Sequence, residues 1–467
     1  MLPAQNPLLE TFLLDIRAYV AAVPEMDRFL TVDDMQQAFD DLAATYPELT
    51  TLRRVGTSKL GEPIRMLSIG HGSRNMLMFG CPHPNEPIGA MLIHHHTQLL
   101  CTDANLRDRF DFTWHFISTV DPDGTRLNEG WFGGPFTPTN YARHFYRPAA
   151  RDQVEWTFPI SYKDHYFDAS LPETEMLMRV IDELKPALMA SLHNAGFSGV
   201  YYYTSGGDQQ LFDTLHALPA WEDLPLAMGE AEVPWATPLA DAIFPLLTSA
   251  HAYDYLEANG GNPGASESGA SSFEYALPYN TFNIITEVAY FDDPRVNDQT
   301  PTATNRREAI LASLDEQQAS REAMRAQWNA VVRDLSVDSP FRRTVDWWVN
   351  ELGRDTEAER NWAINNPDTD RPATQAELFS SQLMPQFFRL CWQGLIVRML
   401  EGEVGIGNGT PAIRRELATA RDTFEGWGAQ LESELDFRTV PIRKLVGVQF
   451  GAVLAAAEYL ERASATD

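Results

Sequence analysis

Two hydrophobic patterns divide this chain. Up to about residue 300, short apolar or alternating runs take turns with segments whose apolar positions recur every three or four residues. Beyond that point only the second pattern remains. The first two segments, 8–22 and 32–46, read as helices; Thr31 offers an N-cap and Asp33 and Asp34 early acids ahead of Met35, Phe39 and Leu42. Thr50–Gly56 and Ile64–Ile69, separated by Lys59-Leu60-Gly61-Glu62-Pro63, read as a hairpin, and Met76–Cys81 as the next strand. Ile88, Met91, Leu92, His95 and Leu99 form one helical stripe. His94, His95 and His96 inside it point about 100° apart, so they cannot share one ion and are expected as partly exposed helix residues. Phe110–Thr119 is a strand that runs into the turn Val120-Asp121-Pro122-Asp123-Gly124.

Glu173–Leu184 reads as a helix, and Ala187–Leu192 as a strand of the kind buried on both faces. Tyr201–Tyr203 suit sheet packing, Ile243–Leu256 a helix, Asn259–Ser272 a Gly/Ser/Asn loop and Thr281–Val288 a further strand. The alternation predicts an α/β fold: a mixed, mostly parallel sheet with helices on both faces. After Pro301, helices are expected through Ile310, Leu314, Met324, Trp328, Val331 and Leu335, and over 374–402, 411–433 and 440–463. Gly447, Gly451 and Ala455, four apart, allow close helix contact. This predicts a sheet-based domain over 1–301 and an α-helical region over 302–467, which lacks a titratable cluster and packs on the rest of the chain or on a second copy.

Composition narrows the functional classes. A length of 467 residues fits two or three domains, or one large domain with an addition. A net charge of −29, with its acids spread along the chain, opposes binding to nucleic acid or anionic membranes. It is read as solvating the surface, with a preference for cationic substrates as the alternative. No apolar run approaches the length of a membrane span. The acidic start, Met1–Asp15, does not look like a secretory leader. Cys81, Cys101 and Cys391 form no paired framework, so a cytoplasmic location is expected.

Candidate chemistry centres on His83-Pro84-Asn85-Glu86, between the strand Met76–Cys81 and the helix that follows. An imidazole and a carboxylate three positions apart can reach one ion. A hydrolytic zinc site needs three N or O ligands and one open position. His193 and Glu287 also lie at or near strand ends, where sheets of this kind gather ligands. The segment from Arg126 to Tyr162 is Gly-, Pro- and aromatic-rich and carries Arg126, Arg143, Arg147 and Arg151; an irregular stretch of that length is usually functional.

Taken together, residues 30–300 resemble the zinc carboxypeptidase superfamily, the M14-type peptidases and their deacylase relatives. The matching pieces fall in order: Leu52–Ile69 with Gly56-Thr57-Ser58 and Gly61-Glu62-Pro63-Ile64; His83-x-x-Glu86 with Pro87-x-Gly89; Asp121-Pro122-Asp123-Gly124; Ser191-Leu192-His193-Asn194; Gly269-Ala270-Ser271-Ser272 followed by Glu287. The resemblance implies zinc held by His83, Glu86 and His193, Glu287 as general base, and a cationic partner for the oxyanion, first Arg126, with Arg143 and Arg147 as rivals. Arg143, Arg147, Asn194 and Ser272 are the implied substrate contacts. Three departures stand out. Asp121 replaces the family's Asn; Asn140-Tyr141-Ala142-Arg143 is the nearest approach to the carboxylate-clamping Asp-x-Asn-Arg; and Asn262–Ser268 has no aromatic where a mobile Tyr is expected. The implied activity is zinc-dependent hydrolysis of a peptide bond. The alternatives are deacylation of an N-acyl amino acid and, from another class, a catalytically silent binding module.

Overall fold

The computed structural model describes residues 15–351 and 353–464. The expected helix over 8–22 is seen as Ile16–Ala21; its part over 8–14 lies outside the described residues. Thr31 caps the helix Val32–Thr45 (α1) on the Asp34 N–H, and the Asp34 carboxylate accepts in return from the Thr31 N–H.

Eight strands form the main sheet: Thr50–Thr57 (β1), Pro63–Ile69 (β2), Arg74–Phe79 (β3), Phe112–Ile117 (β4), Leu188–Ser191 (β5), Tyr201–Thr204 (β6), Ile243–Pro245 (β7) and Phe282–Glu287 (β8). Their order is β1-β2-β4-β3-β5-β8-β6-β7. The centre, β4-β3-β5-β8, is parallel; β1, β2 and β6 join antiparallel. This is the mixed, mostly parallel sheet the alternation predicts.

Helices cover both faces. Ile88–Thr102 (α2) packs over Met76, Met78 and Ala190, while Pro172–Leu184 (α3) covers Leu77, Phe79 and Met189 on the other side. The central strands, sandwiched between them, are buried along nearly their whole length. That is why they read as unbroken apolar runs.

Three local expectations change. Ile243–Pro245 is an edge strand parallel to β6; Pro245 cannot donate into a continuing helix, and Thr248 caps a new one over Ser249–Ala258. Asp121 is an N-cap rather than the start of a plain turn: its side chain accepts from the Gly124 N–H at 2.8 Å and opens the helix Pro122–Asn128. His96 is fully buried, with its ring against Trp114, Phe116 and Phe450. The C-terminal helix, invisible to a local reading of α2, covers that face.

Gln209–Trp221 (α4) lies between β6 and β7, and the C-terminal region is mainly helical: Arg306–Val331 (α5), Pro340–Asn350 (α6), Gln375–Gly405 (α7), Pro411–Glu434 (α8) and Ile442–Ser464 (α9). Packing crosses the 301/302 division. A Cβ on Gly451 would lie 2.1 Å from Leu218 of α4 and 2.9 Å from Val20, so a larger residue there would force those side chains to shift. Arg438–Thr439 also pairs with Ala289–Asp292, which runs parallel to Ala195–Phe197. Among the described residues, no helix is long and apolar enough to cross a membrane.

Candidate metal centre

The loop from β3 to α2 carries His83 and Glu86, and it is short and tightly seated. Cys81 takes a positive φ of 50°, and the Glu86 N–H donates to the His83 carbonyl at 3.0 Å. Gly89 starts α2 against the end of β5; a Cβ there would lie 2.4 Å from Leu192. That close approach brings the loop alongside His193, which leaves the sheet two residues after β5.

Three side chains then converge. His83, Glu86 and His193 are buried, and one ligand atom from each lies within 4.8 Å of the others. His193 is oriented by Ser191, whose Oγ meets its Nε2 at 2.9 Å. That leaves Nδ1 facing Glu86 Oε2 at 3.1 Å. The same Glu86 oxygen accepts from the Asn194 N–H at 3.3 Å. His83 Nδ1 is buried with no hydrogen-bond partner. An orphaned buried nitrogen is costly, and an ion would satisfy it. Burial, then the charges of Arg147 and His193, push the His83 imidazole well below its usual range, toward the neutral, ligating form. Two imidazoles and one carboxylate are the donor set of a hydrolytic zinc site, so the residues present fit the metal.

Glu287 ends β8, with Oε1 3.9 Å from His193 Nδ1. Its carboxyl is held well above the usual carboxylate range, first by burial and then by Glu232 and Glu86, with Arg147 opposing.

Of the sequence-selected arginines, the structure brings one to this cluster. Arg147 Nη1 lies 3.2 Å from Glu86 Oε1, its Nε donates to Gln153 at 3.1 Å, and its guanidinium covers the Trp156 ring at 5.3 Å. Trp156 in turn lies 5.2 Å from the His83 ring. Arg126 is not brought there: it is engaged by Glu62 at 2.8 Å and by Asp33 at 2.7 Å, on the hairpin side of the molecule. Being adjacent in sequence to the capped helix start places it one turn along that helix, facing outward. Arg143 is drawn toward α8, pairing with Glu425 at 2.7 Å and lying over Phe424. Asn194 braces the loop, its Oδ1 accepting from the Ile88 N–H at 3.3 Å. Ser272 is buried and donates from Oγ to Glu155 Oε1 at 2.6 Å.

Three residues of the surroundings escaped the sequence reading. Glu155 is buried, and its Oε2 has no partner. Glu232 receives the hydroxyls of Tyr201 and Tyr203 at 2.6 and 2.8 Å. Gln449, on α9, donates from Nε2 to the His193 carbonyl at 2.6 Å and to that of Thr286 at 3.2 Å. Only Gln449 had a local signal: it is the one amide in the apolar run Val446–Ala457.

Residues 35–231 match the family model described as zinc carboxypeptidase, a span that includes His83, Glu86 and His193 and stops short of Glu287. The resemblance read from the sequence is borne out over that span. No curated protein matches the sequence. Several solved structures overlap in part. Bovine thrombin-activatable fibrinolysis inhibitor, solved with tick carboxypeptidase inhibitor, is 8% identical, with 56% of this chain and 86% of that one covered and a TM-score of 0.38. Carboxypeptidase A of Helicoverpa armigera is 18% identical over 61% and 71%, with a TM-score of 0.35. A murein-tripeptide amidase of Escherichia coli O157 is 16% identical over 51% and 82%, with a TM-score of 0.26. Overlaps this distant assign no residue; the assignment of the cluster rests on its geometry.

Proposed function

We propose that this protein is a zinc-dependent amide hydrolase of the carboxypeptidase type, with His83, Glu86 and His193 as metal ligands and Glu287 as general base. The observation that carries the reading is the convergence of those three buried donors beside a buried carboxyl at the next strand end. Bound zinc would supply a Lewis acid for the amide carbonyl and a nucleophile from water at neutral pH.

The chain's own groups do the rest. Glu287 Oε1 takes a proton from the attacking water and returns it to the leaving nitrogen. Arg147 is the cation placed to meet negative charge on the carbonyl oxygen, and the face of Trp156 keeps its guanidinium in line. Ser191 and Asn194 orient His193 and Glu86, so that little reorganisation accompanies the reaction.

A second reading, deacylation of an N-acyl amino acid, is favoured by the placement of Arg143. Its engagement by Glu425 withholds the nearest counterpart of the family's clamp for a peptide's terminal carboxylate.

Elemental analysis tests the metal directly. Wild-type protein should hold one zinc per chain and His193→Ala should lose it; full retention in that variant sinks the ligand set. A screen of the zinc-loaded protein against peptides and N-acyl amino acids separates the two readings. No turnover of either class by zinc-loaded protein would favour the silent binding module.

A further inference from the structure

Beside the metal centre lies a cavity of about 890 Å³, bounded on one side by the sheet and on the other by the C-terminal helices. Ala195, two residues beyond His193, and Tyr201, paired in register with Glu287, form its near wall. Its size is that of a pocket for a small organic group rather than for solvent alone.

The charge on its walls is one-sided. Seven carboxylates face it against three arginines. Four of those carboxylates are neutralised by pairing: Glu230 with Arg306, Glu267 with Arg151, Glu316 with Arg389 and Glu351 with Arg354. Glu232, Asp355 and Glu359 have no ion-pair partner among the described residues. Glu232 is exposed to the cavity and fixed by Tyr201 and Tyr203, one hydroxyl on each oxygen. A carboxylate has about four acceptor sites, so two phenols hold it in place and leave it room for a charged donor.

Aromatic rings form part of the remaining surface. Trp235 and Tyr255 lie 4.5 Å apart and Trp348 stacks on Trp392 at 5.3 Å. Trp235 Nε1 and the Tyr255 hydroxyl are buried without partners. Ring faces beside unpaired carboxylates favour an organic cation twice, by charge and by cation–π attraction.

We propose that this cavity is the substrate-recognition pocket of the hydrolase, and that it selects an amine- or guanidine-bearing group on an aromatic or long aliphatic body, with Glu232 as its counter-ion nearest the metal centre. The proposal rests on the amide-hydrolase reading and adds its substrate class. The helices outside the zinc carboxypeptidase match thereby become the far wall of the pocket.

Calorimetric titration of the full-length protein, zinc-loaded and metal-free, with phenethylamine and with its neutral isostere 2-phenylethanol tests it, together with kcat/KM on amides that differ only in carrying a cationic, neutral or anionic group. The amine should bind at least about tenfold more tightly than the alcohol, as a charged hydrogen bond requires. That preference should fall about tenfold in Glu232→Gln, fall in Glu359→Gln as well, and weaken with salt; cationic amides should be the best substrates. Equal binding of the two probes, a preference unchanged in both variants, or faster turnover of anionic amides overturns the pocket assignment. Amine selectivity by zinc-loaded protein that cleaves no amide keeps the cation site and overturns the hydrolase reading, so the two failures are distinguishable.

Discussion

The metal centre and the cavity beside it are built by different means. His83, Glu86, His193 and Glu287 come from the ends of β3, β5 and β8, three adjacent parallel strands joined by backbone hydrogen bonds. His83, Glu86 and His193 are held by short loops and Glu287 by its strand, and the spacing between neighbouring strands sets the spacing of these groups. The cavity has no such frame. Its walls come from β6, the segment around Glu232 and helices more than a hundred residues further along the chain. On the proposed reading, chemistry depends on the ends of central strands, and selectivity on helix packing. Changes in the helices should therefore redirect selectivity while leaving the reacting groups in place.

The largest expected effect falls on the metal-centre side of that contrast. Glu287→Gln keeps the shape of the side chain and removes its proton acceptor. Turnover should drop ~10²–10⁴-fold, about 3–5 kcal/mol, with zinc retained. Loss of zinc along with turnover would make Glu287 a ligand or a structural acid; unchanged turnover would move the base elsewhere.

The two arginines sharpen the contrast next. Arg147→Met should cost about 10²–10³ in kcat, the usual loss of an oxyanion donor. Arg126→Met removes only its pairs with Glu62 and Asp33, which are partly exposed, and should change kcat less than about twofold. Steady-state kinetics on one verified amide decides between them, and the opposite ranking would return the oxyanion role to Arg126.

Gln449→Leu probes the point where the two regions meet. It strips a donor from the His193 and Thr286 carbonyls in a buried site, so stability should fall by about 2–3 kcal/mol in urea denaturation. Zinc affinity should weaken about tenfold, as for other outer supports of a metal ligand. Stability lost with zinc affinity intact would mean that α9 supports the fold and not the centre.

The smallest effect on turnover belongs to a helix N-cap outside both regions. Burial pushes the Asp121 carboxyl up to about 7, above the ~3.9 of an unfolded chain. The folded state therefore binds the proton more tightly. The associated stability is complete below about pH 4 and is lost as pH rises through about 7. Asp121→Asn retains the oxygen that accepts from Gly124 and cannot ionise. It should stabilise the protein at pH 8 and not at pH 4, read from thermal midpoints across pH. A gain that did not depend on pH would remove ionisation as its cause.

Much of the centre was legible in the sequence because each piece is local. His83-x-x-Glu86 follows one buried strand, His193 another and Glu287 a third, and strands buried on both faces announce themselves as apolar runs. The α/β alternation and the helical character beyond residue 305 were legible for the same reason. Short elements were harder: Ile243–Pro245 carries three residues of signal beside a stronger helix.

What only the tertiary structure decided is which side chains meet across long separations. The family resemblance put Arg126 first, with Arg143 and Arg147 as rivals; folding turned Arg126 toward Glu62, Arg143 toward Glu425 and Arg147 toward Glu86. His96 is polar by type and buried by α9, which arrives 350 residues later in the chain. Glu232 acquires meaning only when Tyr201 and Tyr203 reach it across a fold of the chain. Periodicity and capping act within a few residues, so they are written into short stretches of sequence. The direction of an arginine, the burial of a histidine and the charge lining a cavity are sums over neighbours from distant segments, and they exist only once those segments pack.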